Sequence, residues 1–411
     1  MVTPDMRLIH TSDWHLGHTL RGEVTREYEH AAFLTWLLEA CVREAADALV
    51  ITGDVFDSAT PPASAERMWF EFVAAARRAR PAMDIIAIAG NHDSPARLGA
   101  ASSVLRELGV HVVGGVPRRD DGGLDLARIL IPVAGGRGLV AAVPFLRPVD
   151  VAGDVVDPLT AIYGEVIEAA RARRRADQAL VVTGHLYVAG ADTQYLSERR
   201  VSIGGQESAP LRLFPDDIDY VALGHIHRAQ RVGRASIRYA GAPLPLSLDE
   251  ADYKNQIVAI EFRAGRIHDL RTLAVPRVVE IVRVPRRGAA PLAEVLAELR
   301  QLPLLVPGDP ARPYLEIVVA LPRPEPKLRA LIEAALDGKR PRLVRLGVEL
   351  TGDGEALGDR VARQRLAELD PRDVFVRLWG RDHAEPPAGA VLTGFDRLLA
   401  EIQGDREDTA S

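Results

Sequence analysis

The chain has 411 residues and a single cysteine, Cys41, so its length allows two or three domains, while an internal disulfide framework and a thiolate metal cluster are excluded. A formal net charge of −6 excludes nucleic-acid binding through bulk positive charge, so any contact with DNA must come from local basic patches. No secretory signal precedes the first strand, and no apolar run approaches the roughly 20 residues of a membrane helix, which predicts a cytoplasmic protein that does not enter a membrane.

The first part of the chain alternates predicted strands and helices. Apolar runs at 8–9, 48–51, 85–89 and 110–113 indicate buried strands, and periodic stretches at 27–46, 62–80 and 95–108 indicate amphipathic helices. Pro61 and Pro62 are well placed to open the second of these helices. A βαβα order predicts parallel strands covered by helices.

The stretch that follows is richer in strands. Residues 126–133 and 139–145 predict a β-hairpin around Gly135-Gly136, and a helix is expected at 158–175. Further strands are expected at 180–183, 220–223, 237–240 and 256–263. The hairpins indicate a second, mixed sheet, so the predicted fold class is α/β with two sheets and flanking helices.

The pattern changes near residue 276. Strands at 278–284, 314–321 and 343–350 alternate with helices at 291–302 and 327–336, which predicts a small α+β domain of the split βαβ kind. Beyond it, helices are expected at 360–369, 374–378 and 395–402. The predicted domains are therefore residues 1–275, 276–351 and 352–411.

Residue types that are able to bind metal ions follow five of the predicted strands of the first domain. The candidates are Asp13, His15, Asp54, Asn91, His92, His185, His225 and His227. Carboxylate and imidazole ligands suit manganese, iron or zinc, and the lack of thiolates argues against a structural zinc site. Asp13 and His15 lie two apart and can point toward one ion, His225 and His227 repeat this spacing, and Asp54 has two oxygens with which to bridge two ions.

Two ions held in this way would suit the hydrolysis of phosphate esters. A pair roughly 3.5–4 Å apart stabilises both the attacking and the leaving oxygen of an in-line displacement. His92 follows the candidate ligand Asn91 and is expected to protonate the leaving oxygen or to stabilise charge on the phosphate, with Asp93 orienting its ring.

Taken one at a time, these motifs have simpler explanations. A single Asp-x-His is more often a surface loop or a helix cap, and a lone histidine is usually a hydrogen-bonded core or surface residue. Five motifs in a fixed order, each directly after an apolar strand, favour a shared metal site instead. The remaining histidines stand outside these motifs and are expected to be structural or solvated. They are His10, His18, His30, His111, His268 and His383.

The motifs resemble those of the calcineurin-like metallophosphoesterase superfamily. The segments that carry this likeness are Asp13-Trp14-His15, Gly53-Asp54-Val55-Phe56-Asp57, Gly90-Asn91-His92-Asp93, Gly184-His185 and Gly224-His225-Ile226-His227. Longer segments at 11–17, 213–227 and 241–247 are similar to the SbcD family of bacterial nuclease subunits. The likeness is dense over about residues 7–262 and loose beyond them.

The resemblance implies more than the residues show. It implies a phosphodiesterase domain of two facing sheets flanked by helices, a small capping domain, and a C-terminal segment that docks on the coiled-coil base of an SbcC-type ATPase. It implies a homodimer within a heterotetramer, associated with the nucleoid. The assembly is expected to use manganese to degrade double-stranded DNA ends and to open DNA hairpins. One ion would take Asp13, His15, Asp54 and His227, and the other Asp54, Asn91, His185 and His225. His92 matches the family's catalytic histidine that is not a ligand, and Asp57 stands where some related nucleases place a histidine, so it is assigned no catalytic role.

Basic and apolar residues outside the metal site are candidates for contacts with partners. Expected contacts to DNA phosphates are Arg199, Arg200, Arg228, Arg231 and Lys254. An apolar stripe at helical spacing is expected to dock on the ATPase or to pack on the small domain; it consists of Phe395, Leu398, Leu399 and Ile402.

Three functions remain open on the sequence: a DNA nuclease that works with an ATPase, a stand-alone phosphoesterase for nucleotides or phosphoproteins, and a scaffold that binds metal without turnover. The complete ligand set with His92 argues against the scaffold. The residues beyond the catalytic domain argue against the stand-alone enzyme.

Overall fold

The computed structural model describes residues 6–22, 24–151, 157–192 and 208–351, together with residues 375, 379, 387, 389, 391, 392, 394 and 395. The chain forms two compact units, Met1–Leu350 and Thr351–Ser411. In the ranges described, none of the helices combines the length and the apolar composition needed to cross a bilayer.

The strands and helices up to residue 275 come first in chain order. They are β1 (Met6–Thr11), β2 (Thr19–Leu20), β3 (Val24–Thr25), α1 (Glu27–Arg43), β4 (Ala48–Thr52), α2 (Ala63–Ala79), β5 (Asp84–Ile88), α3 (Pro95–Leu98), α4 (Ser102–Glu107), β6 (Val110–Val113), α5 (Leu126–Ile129), β7 (Leu130–Val133), β8 (Gly138–Ala141), α6 (Pro158–Arg173), β9 (Ala179–His185), β10 (Tyr220–Gly224), β11 (Gln230–Val232), β12 (Arg234–Tyr239), β13 (Gln256–Arg263) and β14 (Arg266–Ala274).

Two six-stranded mixed sheets face each other. The first has the order β14-β13-β1-β4-β5-β6, with β1, β4, β5 and β6 parallel and β13 and β14 antiparallel. The second has the order β11-β12-β10-β9-β8-β7, with a parallel centre and antiparallel outer pairs. Residues of both sheets, such as Val50 and Val181, share one buried core, so the sheets pack face to face.

Helices cover the outer face of each sheet. Leu37 on α1 and Trp69 on α2 belong to the core on the first sheet, and Val166 and Ile167 on α6 belong to the core on the second. Strand β4 is buried along its whole length, as expected of a central strand covered on both faces. The predicted sandwich of two mixed sheets flanked by helices is confirmed.

The small module, residues 276–350, has its own core. Its elements are β15 (Ile281–Val284), β16 (Ala290–Pro291), α7 (Leu292–Gln301), β17 (Tyr314–Leu321), α8 (Leu328–Leu336) and β18 (Arg342–Leu350). Strand β17 pairs in parallel with β15 and β16 over its two halves and with β18 along its length, so β15 and β16 share one edge of β17 and β18 takes the other.

Three local expectations differ from the structure. The helix expected over 95–108 is divided into α3 and α4. Helix α3 ends at Leu98 with Gly99 as its C-cap, and Ser102 N then bonds Gly99 O to turn the chain. The hairpin around Gly135-Gly136 exists, but its first strand begins only at Leu130, after the one-turn helix α5. The hairpin β2–β3 and strand β14 were not predicted.

The unit Thr351–Ser411 is described at a few positions. The rings of Phe375 and Phe395 stack with their centroids 4.3 Å apart, and Phe375 also lies 5.9 Å from the Trp379 ring. The helices predicted at 360–369, 374–378 and 395–402 lie mostly outside the described residues.

Candidate metal centre

The candidate ligands converge because both sheets end their parallel strands at one edge. Asp13 and His15 follow β1, Asp54 follows β4, and Asn91 and His92 follow β5, all on the first sheet. From the second sheet, His185 ends β9, while His225 and His227 follow β10. Loops at the carboxyl ends of parallel strands are the usual place for ligand sites in α/β proteins.

Four of these residues have left-handed backbones. The φ angles are 55° at Asp13, 48° at His15, 49° at Asp54 and 96° at His225. Positive φ is uncommon outside glycine and costs free energy, so the surrounding structure must hold it in place. The loops hold each other: Asp13 N bonds Gly53 O at 3.0 Å, and His15 N bonds Asp54 O at 2.9 Å.

Glycines let these loops approach closely. Gly53 has a φ of 92°, and a Cβ there would lie 2.2 Å from the Nδ1 atom of His185. A Cβ on Gly224 would lie 1.9 Å from the carbonyl oxygen of Thr52. Both contacts join the first sheet to the second, so only glycine permits the two sheets to meet at the site.

One cluster of polar atoms surrounds the Asn91 oxygen. Asn91 Oδ1 lies 2.9 Å from His185 Nε2 and 2.9 Å from His225 Nδ1. His185 Nε2 also lies 3.3 Å from Asp54 Oδ2. Four predicted ligands of one ion therefore point at a common centre.

A second cluster forms around Asp13. One ligand atom each from Asp13, His15 and His227 lies within 4.8 Å of the others. His15 Nε2 lies 3.5 Å from Asp54 Oδ2, the oxygen that also faces His185, so this carboxylate stands between the two clusters. Asp54 Oδ1 accepts a bond from His92 N at 2.9 Å, which fixes the carboxylate's orientation.

Oxygen acceptors behind the rings select one tautomer for three histidines. His15 Nδ1 faces Asp57 Oδ1 at 3.0 Å, His227 Nδ1 faces Glu250 Oε1 at 3.1 Å, and His185 Nδ1 faces Thr52 O at 2.8 Å. Because such oxygens accept and do not donate here, Nδ1 carries the proton in each ring. The Nε2 atom of each ring is thereby left to face the site, the arrangement common around protein metal ions.

The pKa values of the histidines in the site are shifted in opposite directions by burial and by neighbouring charge. Burial lowers the pKa of His15, and burial together with the neighbouring His185 lowers the pKa of His225 to about 3. Burial would raise the pKa of Asp54, but His185 and His15 hold it well below its usual range. Burial likewise opposes charge on His185, yet the Asp54 carboxylate raises the pKa of that ring to about 9.

These residues fit a divalent cation. His15 Nε2 is buried and lacks a hydrogen-bond partner among the described residues, although it points at the Asp54 carboxylate. The donor atoms are all nitrogen and oxygen, and the buried Asp54 carboxylate carries a negative charge that a bound cation would balance. A cluster of lone pairs around a buried carboxylate is suited to a cation of manganese, iron or zinc type.

His92 lies beside His15 of the second cluster. Its ring centroid is 4.8 Å from that of His15, and its Nδ1 donates to the carbonyl oxygen of Asp57 at 2.7 Å. The expected contact between Asp93 and the His92 ring is replaced by another arrangement. The Asp93 carboxylate accepts from the backbone N–H groups of Gly90, Val55 and Phe56, so it ties the loop after β5 to the loop after β4.

The residues predicted to contact partners are distributed differently. Arg199 and Arg200 lie outside the described residues, as do Leu398, Leu399 and Ile402. Arg228 is paired with Asp192, whereas Arg231 and Lys254 are exposed and form no ion pair within the described ranges. Phe395 is half-buried against Phe375 in its own unit.

Several residues that shape the site were not predicted. Asp57 and Glu250 hold the rings of His15 and His227, and Arg147 donates from Nη2 to Gly90 O at 3.1 Å and to Asp93 O at 2.5 Å. Asp57 lies inside a recognised motif, so its nearness to Asp54 was a usable signal. Glu250 follows His227 by 23 residues and lies in a single 3-10 turn, Leu248–Glu250, which no sequence pattern marks.

Comparison with known proteins gives two family matches. Residues 6–229 match the calcineurin-like phosphoesterase family, and residues 276–382 match the type 5 capsule protein repressor C-terminal domain. The SbcD subunit of the nuclease SbcCD from Rhodobacter capsulatus is 38% identical over 386 residues, covering 90% of this chain and 93% of the relative. The protein of the same name from Escherichia coli K12 is 32% identical over 415 residues, covering 98% and 100%. That from Bacillus subtilis is 38% identical over 273 residues, covering 63% and 67%.

The first family match spans the five motifs that supply the metal cluster, and the long relatives extend over the small module as well. The chain therefore belongs to the calcineurin-like phosphoesterase family and, within it, to the SbcD family of nuclease subunits.

Proposed function

We propose that the chain is a two-metal DNA nuclease that cuts phosphodiester bonds in double-stranded ends and in hairpins. Its family makes it a metal-dependent hydrolase of the nuclease class. The observation that carries the finer proposal is the position of Asp54 Oδ2, 3.5 Å from His15 Nε2 and 3.3 Å from His185 Nε2. A carboxylate oxygen shared by two clusters of ligand atoms suits a pair of bridged ions.

The ligand sets follow from the two clusters. One ion would be held by Asp13, His15, Asp54 and His227, and the other by Asp54, Asn91, His185 and His225. Two divalent ions there, manganese in this proposal, would lower the pKa of a water between them and neutralise charge on the phosphate. Nitrogen and oxygen donors without thiolates support manganese.

His92 is the proposed proton donor to the leaving oxygen. Its Nδ1 proton is engaged by Asp57 O, so a second proton would be carried on Nε2. Transfer of that proton would neutralise the oxygen that departs with one strand of DNA. Arg147 holds the backbone on both sides of Asn91 and His92 and so keeps this loop in position.

The partners are also part of the proposal. The relatives are named as the SbcD component of the nuclease SbcCD, which supports assembly with an SbcC-type coiled-coil ATPase. We place the chain as a homodimer within a heterotetramer, in the nucleoid-associated cytoplasm. Residues 1–275 would form the nuclease domain, 276–351 the capping domain and 352–411 the docking segment, and Arg231 and Lys254 would contact DNA phosphates with Arg199, Arg200 and Arg228.

A cleavage assay tests this function. The full chain, with and without the ATPase partner and ATP, is given a labelled DNA hairpin and, separately, a nucleotide monoester, each with manganese or with a chelator. We expect manganese-dependent opening of the hairpin and no comparable release from the monoester. Asp54→Asn should abolish cleavage, while His268→Gln, a change at an exposed residue on β14, should leave it intact. Faster release from the monoester than from DNA would favour the stand-alone phosphoesterase.

A further inference from the structure

Two histidines of the metal centre take their orientation from one short segment, residues 245–250, called the strap below. Glu250 in the strap is fully buried, and its Oε1 lies 3.1 Å from His227 Nδ1. Its other oxygen accepts a bond from Leu246 N at 2.8 Å, so both carboxylate oxygens are held in place. Glu250 thus keeps the Nε2 lone pair of His227 turned toward Asp13 and His15.

The strap reaches the second histidine through a chain of hydrogen bonds. Leu246 O lies 2.9 Å from His18 Nε2, and His18 Nδ1 lies 2.9 Å from Asp57 Oδ1. The same Asp57 oxygen lies 3.0 Å from His15 Nδ1. A shift of the strap would therefore reach both His15 and His227, which belong to the same ion.

The small module contacts the strap through two arginines. Arg283 on β15 donates to Leu248 O at 2.9 Å, and Arg345 on β18 pairs with Asp249 at 2.8 Å. Both arginines also pair with Glu316 on β17, which is buried, so their guanidinium groups are held in place. Leu248 packs in one small cluster with Tyr314 of β17.

A buried network fastens the start of the strap as well. The Arg26 guanidinium donates to Pro245 O and forms two bonds of 2.7 Å with Glu29. The Tyr314 hydroxyl of the module donates to the same Glu29 carboxylate. Removing one partner of a buried, paired charge is costly, so this network resists displacement.

We propose that Glu250 is a positioning residue for His227, and that the small module, through the strap, sets the affinity of one of the two divalent-cation sites. This inference rests on the proposed two-metal function and adds a route by which the module acts on it. The site it concerns is the one formed by Asp13, His15, Asp54 and His227. The other site, formed by Asp54, Asn91, His185 and His225, shares only Asp54 with it. Within the described residues, Asn91, His185 and His225 form no hydrogen bond or ion pair with the strap, so this second site should keep its affinity when the strap moves.

Manganese binding to the full chain tests the proposal without recourse to activity. Titration calorimetry gives the two dissociation constants, and electron paramagnetic resonance distinguishes a spin-coupled manganese pair from a single ion. In Glu250→Gln the amide donors face the N–H groups of His227 or Leu246, so one manganese should bind about 10–100-fold more weakly and the coupled signal should give way to that of a single ion. Excess manganese should restore the coupled signal, which loss of the fold would not allow.

Arg345→Ala tests whether the contact between the small module and the strap affects manganese binding, and Arg329→Ala is its matched control. Arg345 touches the strap, whereas Arg329 pairs with Glu333 on the exposed face of α8. We expect Arg345→Ala to weaken the same manganese by about 5-fold or more and Arg329→Ala to leave both constants unchanged.

Each outcome tests either the role of Glu250 or that of the small module. If both manganese dissociation constants are unchanged in Glu250→Gln, Glu250 does not position His227. If Arg345→Ala and Arg329→Ala change these constants equally, the small module does not act through the strap. Should Glu250→Gln fail to fold, Arg345→Ala decides alone. A wild-type chain that binds fewer than two manganese ions would instead overturn the proposed function, and this inference with it.

Discussion

His92 contacts two predicted metal ligands without being needed as a ligand itself. Its backbone N–H holds Asp54 and its ring stands next to His15, yet the ligand positions of both clusters are filled without it. We therefore expect His92→Gln to retain both manganese ions and DNA affinity while single-turnover cleavage falls 10²–10⁴-fold. Metal stoichiometry, DNA binding and cleavage should be measured on one preparation. Near-normal cleavage at saturating manganese would refute a role in proton transfer, and loss of one ion would make His92 a ligand.

Gly53 shows how strictly the site depends on single backbone positions. Gly53→Ala adds a methyl group 2.2 Å from His185 Nδ1 at a φ of 92°, so the β4 loop and the His185 ring cannot both stay in place. We expect the ion held by His185 to be lost along with cleavage. The control is Gly288→Ala, which has a φ of 63° and open space around the new methyl group, so it isolates backbone strain of roughly 1–2 kcal/mol. Equal metal loss in both variants would mean that strain, and not the clash, governs the site.

At the residue scale, the ligands were predictable and their supports were not. Asp13, Asp54 and His185 stand in short motifs directly after apolar strands, so sequence order alone suggested a common site. The contacts of Asp57 and Glu250 depend on how loops 39 and 23 residues from their partners, His18 and His227, fold back on them. Asp93 illustrates the same limit, since adjacency to His92 suggested a contact that the backbone N–H groups of the neighbouring loop take instead.

At the scale of elements, strand β1 carries a histidine that spans the two sheets. His10 Nδ1 lies 2.9 Å from the Tyr220 hydroxyl on β10, and His10 Nε2 lies 2.9 Å from Thr52 Oγ1 on β4. Burial lowers the pKa of this ring from 6.5 to about 3. The folded protein therefore keeps His10 neutral at a pH where the unfolded chain already binds the proton.

This difference predicts acid-sensitive folding. Stability from His10 is complete above pH 6.5 and falls as the pH drops toward 3, by about 1.4 kcal/mol per pH unit. In His10→Gln the side chain stays polar but does not bind a proton over this pH range. The midpoint temperature of unfolding of this variant should therefore fall less between pH 7 and pH 5 than that of the wild type. His268→Gln, exposed on β14, serves as the control. If the unfolding midpoints of the wild type and of His10→Gln fall equally with pH, the prediction is contradicted.

Long, strongly patterned elements were predictable from sequence, and short ones were not. Strand β17 was predicted at its observed bounds, 314–321, because eight mostly apolar residues form a clear run. Strands β2 and β3 have two residues each and exist only because they pair with each other. No local pattern of that length can outweigh the loop signals around it.

At the scale of the whole molecule, the unit Thr351–Ser411 is the proposed contact with the ATPase. Removing it should abolish co-purification with the ATPase and spare manganese-dependent cleavage of short substrates, because every candidate ligand lies before residue 350. The measurement pairs affinity capture of the ATPase with cleavage of a short duplex, and Phe395→Ala in the full chain tests the stacked pair with Phe375. Complex formation by the shortened chain would place the docking surface elsewhere.

The division of the metal centre between two sheets also governs when it can form during synthesis. Asp13, Asp54 and Asn91 leave the ribosome with strands β1, β4 and β5 of the first sheet, whereas His185, His225 and His227 follow with strands β9 and β10 of the second. At roughly 5–20 residues per second the two halves are separated by on the order of ten seconds. Strand β1 meanwhile lacks its neighbour β13, so the first sheet has an open edge throughout that interval. Ribosome-bound chains stalled before residue 185 should therefore bind no manganese pair, because the histidines of the second sheet have not yet been synthesised.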